Sequence, residues 1–143
     1  MSLIKIYKDN PTAGGTNGTL VSSGTDANPI ESGAIEVPSS GYEEGEWIKL
    51  AVRCDSGYKT VEKLERHARL SIEDSGGVDK WQLAPDNAGS AGTPSNWGSS
   101  LDILSEVGSI NTIFWARARV AHTEEPLNDA TVDIKVTALI GAV

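Results

Sequence analysis

A chain of 143 residues fits one domain, spanning 1–143, and a domain of that length buries roughly two thirds of its unfolded surface. Its formal net charge of −8 would repel a phosphate backbone, so nucleic acid is not an expected partner, and its single cysteine, Cys54, excludes an internal disulfide. No stretch approaches the ~20 apolar residues of a membrane span, and residues 1–10 lack the basic start, apolar run and cleavage site of a signal peptide, so the expected setting is a cytoplasm.

In chain order, residues 3–8 are a β-prone run stopped by Asp9-Asn10-Pro11, and residues 12–18 form a Gly-, Thr- and Asn-rich loop. Residues 19–22 and 34–37 are short strand candidates, with Pro29 and Pro38 restricting the ladders. Residues 46–54 read as a central strand. Ile48, Leu50, Val52 and Cys54 share one parity there, and Trp47, Lys49, Ala51 and Arg53 the other. This parity predicts a buried Cys54 thiol, a structural role that outweighs a nucleophilic one without a histidine in reach.

Residues 58–73 combine two patterns. Val61, Leu64 and Ala68, with Glu62 four before Arg66, suit a short helix or irregular crossing, while Ala68, Leu70 and Ile72 alternate as a strand. Residues 80–83 resume as strand, residues 84–98 read as a long exposed and mobile loop, and residues 99–104 lead out with Leu101 and Ile103 on one face. Residues 111–123 and 130–140 then alternate cleanly. Phe114, Ala116, Ala118 and Val120 oppose Trp115, Arg117 and Arg119, and Val132, Ile134, Val136, Ala138 and Ile140 oppose Thr131, Asp133, Lys135 and Thr137. Paired as a hairpin, these strands favour the register that sets Arg119 against Asp133, with residues 124–129 as the acidic turn. Short strands between turn clusters predict an all-β fold, an immunoglobulin-like antiparallel β-sandwich of about seven strands with long polar loops.

No catalytic constellation emerges, and no enzyme activity is expected. The loop at Gly14-Gly15-Thr16-Asn17-Gly18 lacks the Lys-Ser/Thr and the helix that a phosphate loop needs, so it reads as a turn. His67 and His122 lie too far apart in sequence to imply a metal site. The carboxylates at Glu43, Glu44 and Glu46, and at Glu124, Glu125 and Asp129, lack the spacing of a calcium loop. No metal and no cofactor are expected. Four tryptophans remain. Trp47, Trp81 and Trp97 suit core anchors, with stacking on sugar rings as the alternative, whereas Trp115, on the face of Arg117 and Arg119, is the candidate for an interface or for guanidinium stacking.

The phrase Lys80-Trp-Gln-Leu-Ala-Pro-Asp-Asn resembles part of the immunoglobulin-like domains in structural proteins of bacteriophages and prophages. The resemblance continues through Trp97-Gly98, Leu101-Asp-Ile, Asn111-Thr-Ile-Phe-Trp-Ala-Arg-Ala-Arg and Glu124-Glu-Pro-Leu-Asn-Asp-Ala-Thr-Val, covering about the C-terminal half. It implies a non-enzymatic virion or tail-associated building block, partnered by further copies of itself and by other virion proteins. Trp115, Arg117 and Arg119 are the residues expected to meet a neighbouring copy. A carbohydrate-binding or adhesion module is the alternative.

Overall fold

The computed structural model describes residues 3–21, 35, 36, 38–73, 80–121 and 133–143. Among these the chain is all-β, an antiparallel β-sandwich. Its strands are β1 (Ile4–Lys8), β2 (Thr19–Leu20), β3 (Tyr42–Glu44), β4 (Ile48–Cys54), β5 (Tyr58–Val61), β6 (Ala68–Glu73), β7 (Trp81–Asn87), β8 (Ser90–Ala91), β9 (Leu101–Ile103), β10 (Thr112–Ala121), β11 (Asp133–Thr137) and β12 (Leu139–Ala142). The count exceeds the seven expected because several ladders are two to four residues long, too short to leave a periodic signal.

The large sheet runs β2-β1-β4-β10-β7-β8, with β3 also on β10; the smaller sheets are β11-β6-β9 and β12-β5. The core lies between the two larger ones. Ile4, Ile6, Leu50, Val52, Cys54, Leu83, Phe114 and Ala116 come from the large sheet; Ala68, Leu70, Ile72, Ile103 and Ile134 come from the smaller one. The parity expected for β4, β6 and β10 therefore holds. Cys54 is 2% exposed, its thiol directed at the Val107 carbonyl 3.4 Å away.

Four expectations are corrected. The first is the C-terminal hairpin: β10 and β11 belong to different sheets, so Arg119 does not oppose Asp133. Both edges of β10 are taken, by β4 with Phe114 opposite Leu50, and by β7 with Ala116 opposite Leu83, while β11 pairs β6 with Ile134 opposite Ile72. Any strand with an alternating apolar face satisfies the parity rule, and one exposed ion pair, at about 0–1 kcal/mol, is too weak to choose among them. Second, the expected strand over 130–140 is split at Ala138, where the chain leaves β6 and β12 pairs β5 instead.

Third, residues 58–66 hold no helix. Strand β5 runs to Val61, and Lys63 and Arg66 then bridge around a two-residue turn, Leu64-Glu65, with φ of 54° and 63°. A single Glu62–Arg66 pair, at about 0.5 kcal/mol, does not offset the cost of nucleating a helix. Two non-glycine residues with positive φ make this a strained version of the turn that Asn-Gly forms readily. Replacing Leu64-Glu65 by Asn-Gly is expected to stabilise the protein by about 1–2 kcal/mol, read as a higher urea midpoint. A lower midpoint would show that the turn does not carry this strain.

Fourth, the expected loop over 84–98 is largely a hairpin. Its first residues extend β7, Asp86 opposes Ala91 and Asn87 opposes Ser90 around Ala88-Gly89. Beyond it, Gly92, Ser95 and Gly98 donate backbone N–H bonds to the carbonyls of Pro85, Leu83 and Trp81. Residues 85–90 are exposed as expected, yet the backbone is tied down by the β7–β8 ladder and at Gly92, Ser95 and Gly98. Composition marked this segment as polar, and polarity does not prevent a backbone ladder. The expected strand at 34–37 and the acidic turn at 124–129 lie outside the described residues, apart from Ile35 and Glu36, which are not in a strand.

On the smaller sheet, Arg69 and Asp102 are cross-strand partners with Nε to Oδ1 at 2.7 Å. The hydrogen bond from Arg69 holds the Asp102 carboxyl below its ordinary range, with the guanidinium charges of Arg69 and Arg66 adding to it against partial desolvation. The pair is exposed, so it pins register more than it adds stability.

Candidate functional site

The outer face of the large sheet, turned away from the core, gathers the aromatic and basic residues of four strands. Register places them there: Lys5 opposes Arg53, Trp115 opposes Lys49 and Ala84, Arg117 opposes Gln82, and Arg119 opposes Glu44. Small residues lie beneath. Ala51 and Ala84 are fully buried in the middle of this face, leaving room for rings and guanidinium groups to lie flat across the strands.

The arrangement is an alternating stack. The Arg119 guanidinium lies 3.9 Å from the Tyr42 ring centre and 4.4 Å from that of Trp97; the Arg117 guanidinium lies 5.3 Å from Trp97 and 4.4 Å from Trp47. Each such contact contributes on the order of 0.5–1 kcal/mol where exposed. Arg117 is fixed further by donating from Nε to Gln82 Oε1 at 2.8 Å and by its ion pair with Glu44 at 2.6 Å. Gln82, buried, donates in turn to the Ser95 carbonyl at 2.7 Å, which locks the segment carrying Trp97 against β7.

Two of the tryptophans expected as core anchors are thus on the outer face. Trp47 and Trp97 stack with the arginines, while Trp81, opposite Ala118, is packed against the core. Trp115 is on the expected face, yet among the described residues no guanidinium stacks on it; its Nε1–H donates to Asp86 Oδ1 at 2.9 Å. Sequence reasoning therefore picked out Trp115, Arg117 and Arg119 but missed Tyr42, Glu44, Gln82 and Asp86. For Tyr42 and Glu44 the cause is a one-residue shift. Residue numbers opposed in β10–β4 sum to a value one higher than in β10–β3, so a bulge at 45–47 reverses the parity between β3 and β4. Gly45 permits it, since a Cβ there would meet Ile35 Cδ1 at 2.9 Å and the Ala118 carbonyl at 3.2 Å.

Along the same face, Arg53 lies 3.5 Å from the Tyr7 ring centre and donates to the Asn17 carbonyl and to Asn111 Oδ1, and Lys5 pairs with Asp55 at 3.0 Å. The Lys5–Arg53 juxtaposition would be unfavourable alone; Asp55 and the Tyr7 ring offset it. Buried Asn111 also donates to the carbonyls of Thr12 and Asn17, clamping the Gly-rich loop as a turn.

His67 Nδ1 lies 3.1 Å from Thr60 Oγ1, which accepts the Val107 N–H; His122 lies outside the described residues, as do Glu124, Glu125 and Asp129. Among the described residues no three His, Cys, Asp or Glu side chains converge as metal ligands, and no helix is long and apolar enough to cross a membrane. No protein-family model matches the chain, and neither a curated protein nor a solved structure matches it.

Proposed function

We propose that this protein is a non-enzymatic structural or assembly subunit, a phage or prophage virion or tail component that associates with copies of itself and with other virion proteins. The observation that carries the reading is the outer sheet face on which Trp115, Arg117 and Arg119 join Tyr42, Trp47 and Trp97. Tryptophan, tyrosine and arginine are the residue types enriched where proteins meet, and here Trp115 and Arg117 are fixed on β10 by hydrogen bonds to Asp86 and Gln82. The virion or tail assignment rests on the sequence resemblance of the C-terminal half.

The alternative, a carbohydrate-binding or adhesion module, draws on the same rings. A sugar needs open ring faces, and a guanidinium already covers one face of Trp47 and of Trp97. Sedimentation velocity across a concentration series, paired with a glycan array, separates the two. Discrete oligomers without glycan binding are expected; a monomer that binds a specific sugar would overturn the assembly reading.

A further inference from the structure

A cavity of about 440 Å³ opens at the end of β4 far from Trp47, where β1, β4 and three loops meet. Two of the residues lining it are a like-charge pair. Lys5 and Arg53 oppose each other across β1 and β4, an arrangement that costs stability where nothing offsets it. Asp55 offsets one of the two charges, with both of its carboxylate oxygens 3.0 Å from Lys5 Nζ. Among the described residues, every side-chain partner of Arg53 is neutral. Its Nη1 donates to the Asn17 carbonyl at 2.9 Å and to Asn111 Oδ1 at 2.7 Å, and its guanidinium carbon lies 3.5 Å from the Tyr7 ring centre. No carboxylate of the described residues pairs with it, and its Nε and Nη2 donate to none of their atoms.

The walls of the cavity are fixed by backbone hydrogen bonds. The Gly14 N–H donates to the Asn111 carbonyl and the Asn111 N–H to that of Gly15, while the Cys54 N–H donates to the Gly108 carbonyl and the Asp55 N–H to that of Leu3. These bonds hold the loops that carry Thr16, Ser109 and Ser56. All three residues line the cavity, and their hydroxyls make no hydrogen bond within the described residues. From this arrangement we infer that the cavity binds a phosphoryl group, with Arg53 as its counter-ion, Lys5 as a second cation and the hydroxyls of Thr16, Ser56 and Ser109 as further donors. The donor set decides the chemistry. Two cations and three hydroxyls exceed what the two oxygens of a carboxylate accept, whereas a phosphoryl group brings three strong acceptor oxygens and close to two negative charges near neutral pH. A guanidinium already pinned through one amino group, with donors to spare, suits such an oxyanion better than a free side chain would. The volume lies within the range of about 300–1,000 Å³ for small-molecule sites, so the group has room to be carried on a small organic molecule. The site stands apart from the self-association proposed above, since Lys5 and Arg53 are outside the stack on Trp47 and Trp97.

Isothermal titration calorimetry of the full chain at fixed ionic strength, with inorganic phosphate as the probe, reads the binding. A saturable isotherm with a dissociation constant of about 1 mM or tighter is expected. Arg53→Gln should weaken it about tenfold or more, the size of one lost charge-assisted hydrogen bond. Asp55→Asn should tighten it several-fold, because it removes the one carboxylate that lines the cavity among the described residues and releases Lys5. A merely structural role for the Lys5–Asp55 pair predicts no such gain. Each variant is first matched to the parent by circular dichroism. Where Arg53→Gln fails to fold, Thr16→Val combined with Ser56→Ala and Ser109→Ala carries the test, since these hydroxyls bond to no described residue and their loss should weaken binding by a similar factor. Glycerol phosphate titrated alongside names the source: tighter binding than inorganic phosphate places the group on an organic molecule, equal binding leaves it a free ion, and both results support the phosphoryl site. No saturable heat at about 20 mM phosphate would overturn it. Acetate binding as tightly as phosphate would overturn it too, as would phosphate binding that neither Arg53→Gln nor the hydroxyl variant weakens.

Discussion

Replacing Phe114 by alanine is expected to destabilise the protein by about 3–5 kcal/mol, the range for truncating a fully buried aromatic ring. Phe114 is the only phenylalanine of the chain and, among the described residues, the largest fully buried side chain. It sits in the middle of β10, opposite Leu50 on one side and Pro85 on the other, so its removal empties the centre of the large sheet's inner face. Two flanking ladders hold the backbone of β10 in place, which limits how far neighbours can relax into the cavity. Domains of this size have total stabilities of about 5–15 kcal/mol, so the variant should lose about a fifth or more of its margin. Urea unfolding followed by tryptophan fluorescence measures it. A loss below about 1 kcal/mol would show that Phe114 does not anchor the core.

The Cys54 thiol is expected to react with a bulky thiol reagent at least a thousandfold more slowly in the native protein than in urea. Reaction requires opening, and opening a core strand costs most of the global stability, which corresponds to an open fraction of about one in a thousand or less. Burial also pushes the thiol pKa up, and the neighbouring Asp55 charge adds to it, so the reactive thiolate is scarce near neutral pH. Timed labelling read by mass spectrometry gives the ratio. Comparable rates in both states would mean that β4 presents Cys54 outward, reversing the parity of Lys49, Ala51 and Arg53 with it and removing Lys49 and Arg53 from the basic face.

The candidate site was legible where it lies on one regular strand. Trp115, Arg117 and Arg119 share a face by parity alone, and β10 keeps that parity over its length. Tyr42 and Glu44 were illegible because a bulge between β3 and β4 shifts the register by one, and a shift of one residue moves every side chain to the opposite face. The roles of Trp47 and Trp97 were misread for another reason. A tryptophan is apolar enough for a core and polarisable enough to cover a guanidinium, and its neighbours in space decide between the two.

By itself, the sequence determined that this chain is all-β and which faces of β4, β6 and β10 are buried, because alternation of side chains along a strand is a local property of the backbone. It also placed Cys54 inside the core and the turn at 14–18. Strand partnership was decided only by the tertiary structure. Nothing in β10 distinguishes β11 from β4 or β7 as a neighbour: all three offer an apolar face at the right period, and the cross-strand charges that differ among them contribute too little to choose. What chose was the joint packing of both sheets around Phe114, Leu50, Leu70 and Leu83, a free energy spread over residues far apart in the chain that no single segment carries.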